Sequence, residues 1–232
     1  MEWFQTWSAD FCDTFTRCFI KDNRYMLLLD GIGVTIRVSL VAVLIGIAIG
    51  LLIALCNLSS NKLLKLIGGI YTDVIRGTPS VTQLMIIYFV IFASVNLSKW
   101  IIAAIAFGIN SGAYVSEIIR AGILSVDKGQ TEAGRSLGLS ASQTMTRIVI
   151  PQAVKNIFPA LCNEFIVLIK ETAIVGYVGL MDIQKAGDFI KSATFEAFMP
   201  LIGTAIIYYV LIKILTLVLN RVESRLRASE VR

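Results

Sequence analysis

The sequence contains no histidine and comparatively few charged residues. Of its 232 residues, 16% are charged and 56% are hydrophobic, whereas soluble domains carry about 25% charged residues. The absence of histidine excludes histidine-based acid–base catalysis and most metal sites. We therefore expect an integral membrane protein with no catalytic residues and no metal ligands of its own.

The net charge is +5, but the basic residues form no stripe with interleaved aromatic residues. Such a stripe is typical of nucleic-acid binding, so we expect no nucleic acid among the partners. Loops that meet anionic lipid headgroups explain the excess of Lys and Arg better. Membrane lipid is therefore a predicted partner.

Five stretches of the chain are apolar enough to predict membrane-spanning helices. They cover residues 28–56, 66–95, 100–124, 157–180 and 198–219. The second is expected to be one long or broken helix, and the middle three contain charged side chains. Because lipid cannot satisfy polar groups, those side chains must face protein or water. The chain is therefore predicted to be an all-α membrane protein that borders a transport pathway.

The distribution of Lys and Arg predicts the orientation in the membrane. The loops on the side of residues 126–151, together with the C-terminal tail, contain 11 basic residues, and the loops on the other side contain 6. Cytoplasmic loops carry the excess of basic residues. We therefore expect a multi-pass protein with its N-terminus outside and its C-terminus in the cytoplasm.

Residues 126–151 form a polar segment with signals for two short helices. Gly138 lies where a helix end favours a left-handed residue, and Ser140 followed by Gln143 predicts a capping box. Pro151 is expected to end or kink the second helix. From these signals alone, a solvated surface loop explains the segment equally well.

The same segment resembles the EAA loop of ATP-binding-cassette (ABC) importer permeases. That pattern is Glu-Ala-Ala, three residues, Gly, nine residues and Ile-x-Leu-Pro, and the matching residues are Glu132, Ala133, Gly138, Ile148 and Pro151. Gly134 replaces the second alanine, which is expected to loosen the first short helix by roughly 1 kcal/mol. In the family this loop is a coupling helix that docks on the ATPase. The resemblance implies that role for Glu132, Ala133, Gly134, Gly138 and Leu139.

Further motifs resemble the permeases for polar amino acids of the histidine, arginine and glutamine type. Residues 76–79 read RGTP with Gln83 four positions later, residues 112–120 fit GAY-x-x-E-x-x-R, and residues 170–173 resemble KDTS. The match covers about residues 30–227. It implies a type I ABC importer transmembrane domain in the bacterial cytoplasmic membrane, with about five transmembrane helices, an N-terminal interfacial helix and a cytoplasmic coupling helix.

The predicted domain boundaries combine these signals. Residues 1–26 are expected to form an amphipathic interfacial segment, because aromatic residues recur there at helical spacing. Residues 27–223 are predicted to be the transmembrane permease domain, with the coupling loop at about 126–151. Residues 224–232 are predicted to be a basic cytoplasmic tail.

The partners follow from the resemblance and from a missing motif. The chain contains no G-x-x-x-x-G-K-[ST] pattern, so ATP and Mg²⁺ are expected on a separate ATPase. The resemblance implies an ATPase dimer, a second permease subunit that is identical or closely related, and an extracytoplasmic amino-acid-binding protein. The alternative is a small channel or secondary transporter that is not coupled to ATP.

Three charged residues in the fourth predicted span are candidate substrate ligands. A charge at the bilayer centre costs roughly 3 kcal/mol, so Glu164, Lys170 and Glu171 are functional by default. A zwitterion requires both signs of charge, and Asn163 lies on the same stripe as Lys170. We predict that these four residues bind a cationic or zwitterionic amino acid. An internal Glu–Lys ion pair, or a position near the membrane edge, is the alternative.

Arg76 has two interpretations. It could guide the carboxylate of the substrate, and we count it among the substrate-binding candidates. The structural role, in which Arg76 pairs with Asp73 or Glu117 and anchors the second helix, is the one we favour.

Overall fold

The computed structural model describes residues 10–228, with side chains as far as residue 225. Parts of the predicted N-terminal segment and of the predicted basic tail, residues 1–9 and 229–232, lie outside the described residues. Within the described part, all regular structure is helical. The helices are α1 (Tyr25–Leu58), α2 (Lys62–Arg76), α3 (Ser80–Ile86), α4 (Lys99–Leu124), α5 (Lys128–Ser136), α6 (Ala141–Thr144), α7 (Ile150–Glu171), α8 (Ile183–Thr194) and α9 (Phe198–Ala228).

Tighter or wider helical turns connect several of these helices. Five-residue π-helical turns occupy Thr16–Ile20, Ile87–Ile91 and Met145–Val149. A 3₁₀ segment, Thr172–Val178, follows α7 directly. Residues 10–15 are also helical, and the predicted interfacial segment is interrupted at Asp22 and Asn23, which have φ of 56° and 52°.

Small residues allow α1 and α4 to pack closely along much of their length. A Cβ atom added to Gly46 would lie 3.0 Å from the Ser111 side chain. One added to Gly50 would lie 2.5 Å from Val115 Cγ1. Contacts this short leave no room for a larger residue, so the two glycines fix the distance between the helices.

For the second predicted span, the structure shows the broken helix and not the long one. The axes of α2 and of the helix Ser80–Ile91 differ by 103°. The side chain of Gln83 closes the break by donating from Nε2 to the Ile75 carbonyl oxygen at 2.7 Å and to the Thr78 carbonyl oxygen at 3.2 Å. The glutamine of the RGTP-x-x-x-Q motif therefore satisfies the carbonyl groups that the bend frees from the helix.

Three described helices, α1, α4 and α9, are long and apolar enough to cross a membrane, and a fourth span results if the bent pair is counted as one. The remaining predicted span corresponds to α7 and the 3₁₀ segment. Helix α7 begins at Ile150 and contains Lys155, Glu164, Lys170 and Glu171, so its composition differs from that of the other spans.

Pro151 does not end the helical segment, which contradicts one of the two predictions made for it. Pro151 is the second residue of α7, and the chain is helical on both sides of it. The short helix α6 continues through the turn Met145–Val149 into α7 without a loop. Helix α6 of the coupling loop is therefore joined to α7 by helical backbone.

At the end of the bundle opposite the coupling loop, the amphipathic helix α8 packs under α1 and α9. Its buried residues Ile183, Ala186 and Ile190 contact Cys18, Phe19 and Leu28. Asp182 caps α8 by accepting from the backbone N–H groups of Gln184 and Lys185 at 3.1 and 3.0 Å, and it also accepts from the Tyr208 hydroxyl at 3.0 Å. Burial raises the pKa of the Asp182 carboxyl above its ordinary value, and these hydrogen bonds counteract part of that shift.

Candidate functional site: a coupling loop and a buried polar cluster

The coupling loop is held in shape by its own hydrogen bonds. Asp127 caps α5 by accepting from the Gly129 N–H at 2.6 Å, and Gly138 has a φ of +83°. The predicted capping box is confirmed, since the Ser140 N–H donates to Gln143 Oε1 at 2.8 Å and the Gln143 N–H donates to Ser140 Oγ at 3.2 Å. The loop is therefore a defined helix–turn–helix unit.

The exposed side of this unit includes most of the predicted ATPase-coupling residues. Glu132, Ala133 and Gly138 are exposed, and Leu139 is half-buried. Leu137, which the sequence interpretation missed, has 82% of its surface exposed at the tip of the loop. An apolar residue next to the predicted left-handed glycine was the signal that could have identified it.

Gly134 lies on the opposite, buried side of α5. A Cβ atom added there would lie 2.8 Å from Ile148 Cδ1 and 2.9 Å from Thr144 Cγ2. Its position explains the missing alanine methyl group in a way that the sequence did not suggest, because the glycine allows α5 to pack against the start of the helix that leads to α7. This packing matters more than the lower helix propensity of glycine within α5.

A cluster of buried polar side chains lies inside the helix bundle. Glu164 of α7 is 9% exposed, and its Oε1 accepts a hydrogen bond from Ser111 Oγ at 2.7 Å. The neighbouring residue on α4, Asn110, donates from Nδ2 to Gln83 Oε1 at 2.8 Å. Two adjacent residues of α4 therefore connect α7 with α3, and neither Asn110 nor Ser111 was among the predicted site residues.

The other candidates on α7 are more accessible than Glu164. Asn163 and Lys170 are exposed, and Glu171 is half-buried. Within the part of the chain that the structure describes, Lys170 forms no ion pair with Glu164 or Glu171, so the alternative of an internal Glu–Lys pair is not what the structure shows. An exposed amide and ammonium on a membrane helix require water or a protein partner.

The contacts of Arg76 agree with the structural role, in which it anchors the second helix. Its Nη1 lies 4.0 Å from Glu117 Oε2, and its guanidinium lies 5.5 Å from the centre of the Tyr114 ring. Glu117 also accepts from Arg120 Nε and Nη2 at 3.1 and 2.8 Å. The last residue of α2 is therefore anchored to α4 at the helix break. Asp73, the other predicted partner, does not pair with it among the described residues.

Residues 46–228 match the family model for a binding-protein-dependent transport system inner membrane component. The chain belongs to this family. The permease is 41% identical over 208 residues to a putative glutamine transport system permease protein of Rickettsia bellii (strain RML369-C). This alignment covers 89% of this chain and 95% of the relative. It is 42% identical over 205 residues to the arginine transport system permease protein of Bacillus subtilis (strain 168), with coverage of 88% and 94%.

Solved structures support the same fold. A crystal structure of an amino acid ABC transporter with histidines contains a chain that is 44% identical to the permease, with a TM-score of 0.81 and coverage of 89% and 98%. An inward-facing structure of the MetNI methionine ABC transporter shares the fold at 18% identity and a TM-score of 0.75. The predicted type I ABC importer fold is thereby confirmed.

Family membership also confirms the general role. The permease is a transport component of the inner membrane and belongs with amino-acid ABC transporter permeases. Such components work with ATPase and binding-protein partners. The two permease relatives span nearly the same length as this chain, so the similarity covers the coupling loop and the polar cluster together.

Proposed function

We propose that the permease, paired with a second permease subunit, carries a cationic or zwitterionic polar L-amino acid across the cytoplasmic membrane, with ATP and Mg²⁺ bound by a separate ATPase dimer. The relatives named for glutamine and arginine transport support this class of substrate. An extracytoplasmic amino-acid-binding protein delivers the substrate. The alternative of a small channel or secondary transporter is less well supported, because the chain belongs to a family of binding-protein-dependent transport components.

The observation that carries the substrate class is the buried Glu164 carboxylate on the same helix as the exposed Lys170. Lys170 and the adjacent Glu171 offer a cation and an anion for the α-carboxylate and α-ammonium groups of an amino acid. Glu164 lies seven residues before Glu171 on the same helical face, which corresponds to roughly 10 Å along the helix axis. That separation suits a substrate with a second cation at the end of an extended side chain.

The surroundings of Glu164 favour a binding role. Ser111 donates to one carboxylate oxygen, Oε1, and no described residue pairs Glu164 with a cation. A buried carboxylate without a counter-ion is costly, so a substrate cation that reaches it recovers electrostatic energy. Asn163, on the exposed stripe of the same helix, adds an amide for the polar groups of the substrate.

The coupling loop provides the mechanical link. When the ATPases close on ATP, the exposed side of α5 moves with them, and Gly134 keeps α5 packed against the helix that continues into α7. Helix α7 carries Glu164 and Lys170, so a movement of the loop alters the surroundings of the substrate ligands. The differential contact of the loop with the two ATPase states is what shifts the permease between its conformations.

The proposed orientation follows from the same loop. The coupling loop must face the cytoplasm to meet the ATPases, and the side that contains it carries 11 of the basic loop residues against 6 on the other side. The C-terminus is then cytoplasmic and the N-terminus lies outside.

The proposal is tested by uptake of labelled arginine into proteoliposomes that contain the full complex, with unlabelled lysine, glutamine and glutamate as competitors. We expect lysine to compete best against the wild type and to lose that advantage in Glu164→Gln, which keeps a hydrogen-bond acceptor for Ser111 but removes the charge. Competition that is strongest for glutamine or glutamate and unchanged in Glu164→Gln would assign Glu164 to structure and overturn the charge-based selectivity.

A further inference from the structure

Two clefts lie at the coupling-loop end of the bundle and share one lining residue. The first, of about 450 Å³, lies between the end of α1, helix α2 and helix α4. It has a mixed lining, and we call it the polar cleft for the side chains of Asn57, Lys65 and Arg120. The second, of about 240 Å³, lies between α1, α4 and α7 and is lined only by apolar side chains. Leu58, the last residue of α1, lines both clefts.

The polar cleft has an excess of positive charge. Glu117 is the one carboxylate among its lining residues, and it is already engaged by Arg120 at 2.8 Å and approached by Arg76 at 4.0 Å. The ammonium group of Lys65 has no ion-pair partner among residues 10–225. The cleft therefore favours an anion, and its volume lies in the range of small-molecule sites, about 300–1,000 Å³.

The apolar cleft opens to the outside of the bundle. Leu51, Leu55 and Val154 on its rim are 47%, 57% and 48% exposed. Helix α2, beside the polar cleft, also presents apolar side chains outward, with Leu66 at 58% and Ile70 at 55% exposure. Surfaces of this kind on a membrane protein are adjacent to acyl chains, whereas basic residues at a helix end reach the headgroup level.

We propose that the two clefts together bind one anionic phospholipid from the leaflet on the coupling-loop side. The phosphate and its headgroup lie in the polar cleft near Lys65 and Arg120, and one acyl chain lies in the apolar cleft beyond Leu58. A lipid held there contacts α1, α2, α4 and α7, so it joins the broken span to the helix that continues from the coupling loop. This site is independent of the proposed amino-acid substrate.

The test is native mass spectrometry of the assembled transporter after incubation with equal amounts of phosphatidylglycerol and phosphatidylcholine. We expect the wild type to retain phosphatidylglycerol preferentially and Lys65→Glu to retain about tenfold less. Lys62→Glu is the matched control, because it makes the same charge change three residues earlier on the same helix but does not line the cleft. It should bind lipid as the wild type does. Equal losses in both variants, or no preference in the wild type, would overturn the site.

The apolar part is tested separately with Val154→Trp, which fills the apolar cleft from its exposed rim. We expect this variant to lose long-chain phosphatidylglycerol but to keep a short-chain analogue that needs only the polar cleft. Unchanged long-chain binding would overturn the two-part site. So would displacement by glycerol phosphate at concentrations similar to those of the lipid, or binding to the isolated chain but not to the assembled complex, which would show that a partner subunit covers the clefts.

Discussion

The coupling loop leads by helical backbone to α7, which carries Glu164 of the buried polar cluster, but the loop and the cluster are stabilised in different ways. The loop is held by short-range bonds, such as the one from Ser140 N–H to Gln143, three residues apart. The cluster is held by the bond from Ser111 to Glu164, which are 53 residues apart. The shape of a docking surface can therefore be determined by residues that are close in sequence. A buried binding group depends instead on the packing of helices that are distant in sequence.

This contrast predicts that a change at the tip of the loop affects partner binding and leaves the fold intact. In Leu137→Asp we expect affinity for the ATPase to fall roughly 30-fold, because a buried apolar anchor at an interface contributes about 2 kcal/mol or more. Thermophoresis with the purified ATPase measures the loss. Ser142→Asp adds the same charge to another exposed position of the loop and serves as the control. If both variants weaken binding equally, general charge repulsion, and not the Leu137 contact, explains the loss.

A change in the polar cluster should instead affect the fold. Ser111→Ala removes the hydroxyl donor from the buried Glu164 carboxylate, so we expect the free energy of unfolding to fall by about 1–3 kcal/mol. Denaturant titration in detergent measures it. Adding Glu164→Leu to the same variant removes the unsatisfied carboxylate and should restore most of the loss. A double variant no more stable than Ser111→Ala would contradict a specific bond between these two residues.

The second bond of the cluster should have a smaller effect. Asn110→Leu removes the donor to Gln83 Oε1, and Gln83 keeps its own bonds to the carbonyl groups at the helix break. We expect a loss of about 1 kcal/mol in the free energy of unfolding, with ATPase affinity unchanged. A larger change in ATPase affinity than in stability would remove the distinction between the two regions.

The smallest effect is expected at Gly134. In Gly134→Ala, a gain of roughly 1 kcal/mol in helix propensity is offset by contact with the ends of the Ile148 and Thr144 side chains. We expect a net change in the free energy of unfolding below about 1 kcal/mol. Ala133→Gly, the neighbouring exposed position, should lose the full propensity difference of about 1 kcal/mol. Equal and opposite changes at the two positions would show that the close contact at Gly134 has no cost.

Local signals in the sequence predicted the coupling loop well. The capping box at Ser140 and the left-handed Gly138 depend only on neighbouring residues, and both were confirmed. Pro151 does not end a helix, because a proline signals a possible helix end without deciding it. The wider turn Met145–Val149 keeps the chain helical as far as the start of α7.

The polar cluster was predicted only in part. Glu164 was identified because a charge in an apolar span is costly, but Ser111 and Asn110 carry no such cost and give no signal until their partners are known. Gln83 was matched as part of a motif, whereas its role at the helix break follows from the bend between α2 and α3. Leu137 was missed because leucine is ordinary in this composition, so its place next to Gly138 was a weak signal until its exposure was known.

The most direct test of the central claim is ATP hydrolysis by the complex of permease, ATPase and binding protein in proteoliposomes, measured with arginine, lysine, glutamine and glutamate in turn. We expect cationic amino acids to stimulate hydrolysis most, and we expect Leu137→Asp to abolish that stimulation. Hydrolysis that responds to none of these amino acids, or that responds equally in Leu137→Asp, would contradict an amino-acid importer driven through the coupling loop.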